Sequence, residues 1–554
     1  MKDLQSIVII LRLFDHFSAF SGFKLNKSKC EVSGIGALKG VPTALCDVKN
    51  VNLLNSSIKV LGFHFSYNLQ LHKDKNFTEV IQKIVTVLNI WRMRQLTLHG
   101  KIIIFKTLAI SKIVYVSLIS SLCDSVLDQL NTIHKKFIWD NKRAKIKHST
   151  LIANYEQGGL KDIDITTKIK SLQLSWIQRL HDDNFHPWKI IPTFVFAKMS
   201  PLGNDIFYPN FMLATQYKNI PSFYLNILKY WTEFSHATPL TASSVLSECV
   251  WNNRLITVSN KAIHSSFLSI RKNIFVADLF DSNGNAISWN FFKTKYSIPE
   301  TKNFNWMQLI DAIPNDWKNT IRKDFGRSRQ FCIFKPHFIF NARILPLARL
   351  SSKEVYNIQL SKIVETPTSQ IHIQNLLNVQ TLPWKNIYTL ARSISIDSYS
   401  RVFQYKCLNS ILYLNLALFK MGLTDSPLCS YCRSDNETIP HLFYFCNFSK
   451  TLWTDIRNFF RLKIDIPSLT LQSAVVGFLD DNNMNNTFIN NVLLMYKITL
   501  YRNRDKGSVT SANVIKNLKT REKIEKNIAG TDTNKLQYHD KKWSILYDIF
   551  DTEG

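Results

Sequence analysis

The sequence predicts an α+β chain dominated by helix, on three observations. Apolar residues recur at helical spacing over long stretches, period-two alternation is confined to one short segment, and a Cys/His cluster in the last third marks a small metal-organised module. At 554 residues the chain is too long for one core, so three or more domains are expected. Its 45% apolar, 12% aromatic and 20% charged residues are the composition of a folded chain, not a disordered one.

The elements follow in order. Leu4, Ile7, Val8, Leu11 and Phe14 share a helical face, and Gly22 stands where a C-cap would end that helix. Extended structure is expected at 23–26, and the alternation of Leu61, Phe63 and Phe65 predicts a strand with one buried face. From about Phe77 three helices are expected. Val80, Ile84, Leu88 and Trp91 stripe the first, and Ile102, Phe105, Leu108 and Ala109 the second. Leu127, Leu130, Ile133 and Phe137 stripe the third, N-capped near Asp124 and Ser125. Residues 185–345 are rich in Trp and Phe but hold no sustained period, and read as mostly helical with irregular connections. Helical patterning returns from Lys353 to the Cys cluster and again near the C-terminus. There the Lys/Arg run around 516–526, with Glu522 and Glu525, reads as a solvated amphipathic helix. The Asn-rich 482–486 reads as a loop.

Folding does not require a net charge of +28 or a pI near 9.6; such a surplus calls for a polyanionic partner. A membrane surface is the rival polyanion, but no stretch approaches the ~18 uninterrupted apolar residues of a spanning helix. The longest mostly apolar run, near Ile113 to Cys123, stops at Asp124. The N-terminal run from Ser6 to Leu11 is short, is broken by Arg12 and lacks a small-x-small site, so it reads as helix rather than signal peptide. RNA and/or DNA is the expected partner, with no membrane. The nine cysteines, odd in number and mostly isolated, point to a reducing compartment, cytoplasm and/or nucleus. The densest basic patch holds Lys135, Lys136, Lys142, Arg143, Lys145 and Lys147 with one acid, Asp140. Phe137 and Trp139 are interleaved as candidate stacking rings.

The most specific local pattern is Cys429-x2-Cys432-x8-His441-x4-Cys446. Two thiolates two residues apart can hold one metal ion from a single tight turn. A His and a third Cys complete the tetrahedron that Zn²⁺ takes in closed structural sites, leaving no position for a catalytic water. Pro427 and Pro440 stiffen the approaches, Ser434 to Thr438 can form an exposed loop, and Leu442, Phe443, Phe445 and Phe448 offer a small apolar pad. Metal binding would supply on the order of 10 kcal/mol to a module with so small a core. The competing reading is three coincidental cysteines and a surface histidine.

Around this cluster the chain reads Arg401-Val402-Phe403-Gln404-Tyr405-Lys406-Cys407-Leu408, Phe419-Lys420-Met421-Gly422-Leu423, Pro427-Leu428-Cys429, Glu437-Thr438-Ile439-Pro440-His441-Leu442-Phe443 and Leu452-Trp453. Nearer the other end stand Ser21-Gly22-Phe23-Lys24-Leu25-Asn26-Lys27-Ser28-Lys29, Val60-Leu61-Gly62, and Trp91 and Arg94 before Leu96-Thr97-Leu98-His99-Gly100-Lys101-Ile102. Phe137-Ile138-Trp139 and Gly158-Gly159-Leu160 follow. In this order the segments resemble the C-terminal part of reverse transcriptases of non-LTR retrotransposons, the long interspersed elements.

The resemblance implies a palm remnant at 1–75, a thumb-like helical domain with the basic patch at 76–184, an ill-defined region at 185–345, a zinc-binding Cys/His domain at 346–500 and a basic tail at 501–554. It places Leu61 and Gly62 in the primer grip, and Lys29 where a lysine assists pyrophosphate departure, a role idle without the aspartates that leaves Lys29 as a solvated palm lysine and candidate nucleic-acid contact. In the family the paired carboxylates that hold two Mg²⁺ come from an early palm Asp and an aromatic-x-Asp-Asp turn, both preceding the segment at 25–29. Here Asp3 and Asp15 lie on no such turn, and no endonuclease precedes them. Phe478-Leu479-Asp480-Asp481 fits aromatic-x-Asp-Asp formally but lies beyond the Cys cluster, followed by Asn482-Asn483 rather than a returning strand. Asp182-Asp183 reads as a solvated helix end. The expectation is therefore a truncated, reverse transcriptase-like chain that binds RNA or an RNA/DNA hybrid, holds structural zinc and binds no Mg²⁺ productively. The alternatives are an RNA-directed DNA polymerase complemented by the missing catalytic segment, and the translation of a decayed element with no selected role.

Overall fold

The computed structural model describes residues 5–33, 52–53, 57–66, 68–120, 122–199, 203–212, 220–263, 274–299, 305–340, 343–479 and 484–550. Helix dominates, and every sheet among the described residues has two strands, one parallel and three antiparallel. Two compact units emerge, each discontinuous in sequence: 1–87, 108–131 and 165–359 form one, and 88–107, 132–164 and 360–554 the other. The sequence reading divides the chain instead into five consecutive segments.

In the first unit the helix Gln5–Ser21 ends at Gly22, whose φ of +73° is the left-handed C-cap that favours glycine. No strand forms at 23–26; a single 3-10 turn, Lys27–Lys29, follows. The strands Ile58–Val60 and Phe63–Phe65 pair antiparallel. Leu61 does not continue the alternation. It forms the tight turn with Gly62, both at positive φ (+49° and +86°), and is 88% exposed, while Phe63 is buried and Phe65 exposed. A two-residue turn of this sign matches the twist of paired strands, and this geometry outranks the alternating pattern. Asn76 is buried and clamps the returning strand, accepting from the His64 N–H (2.9 Å) and donating to its carbonyl (2.7 Å).

The helix Glu79–Arg92 forms as expected, but it buries Ile81, Ile84 and Leu88 while Val80 and Trp91 stay partly exposed. Helix then runs from Leu98 to Ile119, with a π segment at Phe105–Ala109. By length and composition alone this run is long and apolar enough to cross a membrane. Lys101, Lys106 and Lys112 interrupt its apolar residues, so the sequence holds no unbroken apolar run there.

The stretch 185–345 builds a dense aromatic core despite its lack of period. Trp231, Phe234, Phe207 and Phe338 pack in one cluster, and Trp251, Phe275, Phe292 and Trp306 in another. Phe234 stacks on Phe338 with centroids 4.3 Å apart, and the Trp231 indole donates to the Tyr208 carbonyl. Short helices and the hairpin His337–Phe340/Arg343–Pro346 each contribute only a few of these residues, so no single window carries the pattern.

In the second unit the helix Met484–Arg502 is central, and every residue from Phe488 to Leu500 is buried. Packed in the same core are Phe403 and Cys407 from the helix Ser398–Leu408, and Trp453, Ile456 and Phe460 from Asn447–Phe460. Val514 and Leu518 come from Ser511–Ala529, and Trp543 and Leu546 from Thr533–Phe550. The Lys/Arg run around 516–526 is helical and amphipathic as expected, with Lys516, Lys523 and Lys526 exposed, but its inner face carries charged residues too. Arg521, Glu522 and Glu525 are buried, with Glu525 accepting from Lys542 (2.5 Å) and from the Trp543 indole (3.1 Å). Ala474 to Val476 lie in a short helix, Leu471–Val476, and Phe478 is held through its backbone by the buried Asn490. The formal aromatic-x-Asp-Asp match therefore starts between helices rather than on a hairpin; Asp480 and Asp481 themselves lie outside the described residues, as does Asp3.

The turn at Gly158-Gly159 closes this unit's polypeptide back on itself. A Cβ at Gly159 would stand 2.1 Å from the Ala153 carbonyl oxygen, a distance no side chain tolerates. Gly159→Ala is therefore expected to destabilise the chain by about 2–3 kcal/mol, seen as a lower urea midpoint in tryptophan fluorescence. An unchanged midpoint would contradict that close approach.

Candidate metal centre and basic loop

The metal-binding residues come from two local devices. Leu428 and Asn436 bridge antiparallel, the Cys429 N–H donates to the Asp435 carbonyl (2.8 Å), and Arg433 sits at φ +56°. This knuckle turns Cys429 and Cys432 toward one point. His441 opens a π turn, His441–Phe445, and Cys446 stands at the N-cap of the helix Asn447–Phe460. The donor atoms of Cys429, Cys432, His441 and Cys446 all lie within 4.8 Å of one another. Cys429 Sγ and Cys446 Sγ are 4.0 Å apart, and Cys432 Sγ lies 3.2 Å from His441 Nε2. Tetrahedral zinc with ~2.3 Å bonds to sulfur needs thiolates roughly 3.8 Å apart, so the donor set fits a closed structural site.

The site's electrostatics also favour a bound cation. The Cys429 thiol donating to Cys446 lowers the Cys446 pKa and raises that of Cys429. The Ser449 hydroxyl and the N–H groups of Ser449 and Phe448, at the start of the helix, also favour the Cys446 thiolate. A zinc ion replaces the shared proton and needs both sulfurs ionised. All eight described cysteines are free of disulfides.

The pad of apolar residues is only partly as expected. Leu442 and Phe443 are buried and Phe448 stacks on Tyr431 at 4.6 Å, but Phe445 is half exposed. Leu442, Phe443 and Phe448 belong to the unit's large core rather than to an isolated small one. The 434–438 loop differs in one decisive respect. Ser434 to Asn436 are exposed, but Glu437 is fully buried. Its carboxylate accepts from the Ser430 N–H (3.0 Å) and hydroxyl (2.9 Å), the Asn415 N–H (3.0 Å) and Arg504 Nη1 (2.5 Å). Sequence reasoning missed Glu437 and Arg504. The one available signal was an acid two residues before the Ile439-Pro440-His441 step.

The basic residues fall into two groups. Lys29 is exposed at the end of its 3-10 turn and, like Leu61 and Gly62, belongs to the first unit. Lys135, Lys136, Lys142, Arg143, Lys145 and Lys147 belong to the second. Lys135 and Lys136 are exposed on the last turn of the helix Asp124–Ile138, and the others occupy the loop that follows. Asp140 does not neutralise that loop, because Lys101 pairs with it at 2.5 Å. Lys147 pairs with Glu365 at the surface. Phe137 is fully buried and so unavailable for stacking on a base; Trp139 is partly exposed. Sequence reasoning also missed Tyr413 and Lys406. The Lys145 ammonium lies 3.4 Å from the centre of the Tyr413 ring, and Lys145, with Lys142 and Lys406 nearby, holds the Tyr413 phenol below its usual pKa. Their separation in sequence hid them; only the fold brings 142–145 against 406–413.

Removing zinc with a chelator is expected to lower the unfolding temperature of the second unit, with re-addition of Zn²⁺ restoring it. Glu437→Gln leaves Arg504 without a charged partner, so a loss of about 3 kcal/mol and a ~10- to 100-fold weaker zinc affinity are expected. Competition with a chromophoric chelator measures the second; wild-type affinity in that variant would show that the carboxylate does not orient the ligands.

Residues 351–453, a span containing all four of these metal-binding positions, match a family described as zinc-binding in reverse transcriptase. The match and the Cys₃His geometry together support a reverse-transcriptase-associated protein with a structural zinc site.

Proposed function

We propose that this chain is a non-LTR retrotransposon reverse transcriptase-like protein that binds RNA or an RNA/DNA hybrid through its basic loop, with the zinc site holding the surrounding scaffold. The observation that carries the reading is the cluster of Lys142, Lys145 and Lys406 around the exposed side of Tyr413, in the same compact unit as the Cys₃His site. Cations beside a tyrosine ring suit phosphates with a neighbouring base. A cavity of about 370 Å³ opens beside them, lined by Lys145, Lys147, Ser369, His372, Asn409 and Ser410, and offers hydrogen-bonding groups to a sugar–phosphate backbone.

On this reading residues 76–184 act as a thumb, and the chain binds without polymerising by itself. The acids that hold two Mg²⁺ in this chemistry fall, in the family it resembles, before the segment matching 25–29. A partner chain supplying them would restore synthesis in trans.

Fluorescence anisotropy with a labelled RNA/DNA hybrid tests the binding. Affinity is expected to fall linearly on a log–log salt plot, losing ~10³-fold or more between about 50 and 200 mM if six or more phosphates are neutralised. Lys142→Ala/Lys145→Ala should lower the slope by about one per lysine. A flat salt response, or a double variant that behaves as wild type, would overturn the proposal. Primer extension with Mg²⁺ is expected to yield no product, and templated incorporation by this chain alone would refute the second part.

A further inference from the structure

Away from the Cys₃His site, three side chains from different elements of the second unit bring nitrogen and oxygen donors together. His134 lies in the helix Asp124–Ile138, His148 opens the helix His148–Leu151, and Asp162 follows the Gly158-Gly159 turn. Their donor atoms lie within 4.8 Å of one another. His134 Nε2 is 3.1 Å from Asp162 Oδ1, and His148 Nδ1 is 3.9 Å from Asp162 Oδ2. We propose that His134, His148 and Asp162 form a second metal site that binds a divalent first-row transition ion such as Zn²⁺.

Three observations point to a ligand rather than to a simple hydrogen-bonded cluster. Asp162 has a fully buried side chain, and its Oδ2 has no hydrogen-bond partner, although Oδ1 accepts from the Ile163 N–H at 2.8 Å. A buried carboxylate oxygen without a partner is costly, and a cation beside it removes that cost. Second, His148 Nε2 lies 3.5 Å from Asp164 Oδ2, the outer carboxylate that commonly orients a metal-binding imidazole and leaves the other ring nitrogen free for the ion. Third, the His134 ring packs against the buried Phe105, with centroids 4.4 Å apart, which restrains its orientation.

Two imidazoles and one carboxylate suit zinc and its neighbours rather than Mg²⁺ or Ca²⁺, which prefer all-oxygen shells. Ligands on zinc with ~2.0–2.2 Å bonds stand about 3.3 Å apart, close to the spacings present. Three protein ligands leave one position for water, and the part-exposed His148 gives the ion a path from solvent. The loop bearing Lys142, Arg143, Lys145 and Lys147 runs between His134 and His148. The ion would therefore fasten both ends of that loop to the Gly159 turn. This inference does not depend on the proposed nucleic-acid binding, because its test reads metal.

The full-length chain is loaded with Zn²⁺, freed of excess metal and analysed by elemental mass spectrometry. Two zinc ions per chain are expected, falling to one in His148→Ala, in Asp162→Asn and separately in Cys432→Ser. His148 is half exposed, so its variant keeps the test open should Asp162→Asn fail to fold, with circular dichroism checking each. Co²⁺ added to chain holding one zinc in the Cys₃His site should give visible d–d bands without thiolate-to-cobalt charge transfer, and His134→Gln or His148→Ala should abolish them. One zinc per chain in wild type and in His148→Ala alike, or cobalt spectra showing thiolate charge transfer only, would overturn the proposal.

Discussion

The Glu437 carboxylate is buried with no exposure, and Arg504 and three donors from the Ser430 and Asn415 region converge on it. Breaking such a pair leaves a buried charge, so the pair constrains everything built around it. Ser430 lies between the two knuckle cysteines, so holding its backbone holds the angle at which Cys429 and Cys432 present their sulfurs. Arg504 follows the central helix Met484–Arg502, so the same contact ties the knuckle to the middle of the core.

That linkage changes what the zinc does. A metal ion in an isolated knuckle replaces a missing core. Here Leu442, Phe443, Trp453 and Phe460 already share a core with Phe488, Trp543 and Leu546. The ion's contribution is positional: it fixes where the helix Asn447–Phe460 starts relative to the 429–437 turn.

The basic loop obeys a similar economy of charge. Lys101 occupies Asp140 and so removes the loop's only acid from play, while Tyr413 supplies a ring face for Lys145. Among the described residues, no carboxylate contributes at Tyr413 or Lys406, where Lys142 and Lys145 also bear. On the proposed reading, charge of one sign held on an anchored loop would make a stronger phosphate contact than the same residues on a free tail, since less entropy is lost on binding.

The linear order of residues by itself determined the helical class, the helix beginning at Asp124, the Gly22 cap and the identity of the four zinc donors. Each depends on spacing within one turn or one loop, which is a local property. It could not determine that Leu61 turns rather than pairs, that Phe137 is buried away from any ligand, or that Arg521, Glu522 and Glu525 lie inside. It also could not bring Glu437 to Arg504, Lys145 to Tyr413, or His134 and His148 to Asp162. Those outcomes depend on which distant segments pack together, and a buried charge or an unpaired oxygen acquires meaning only once its neighbours across the fold are in place.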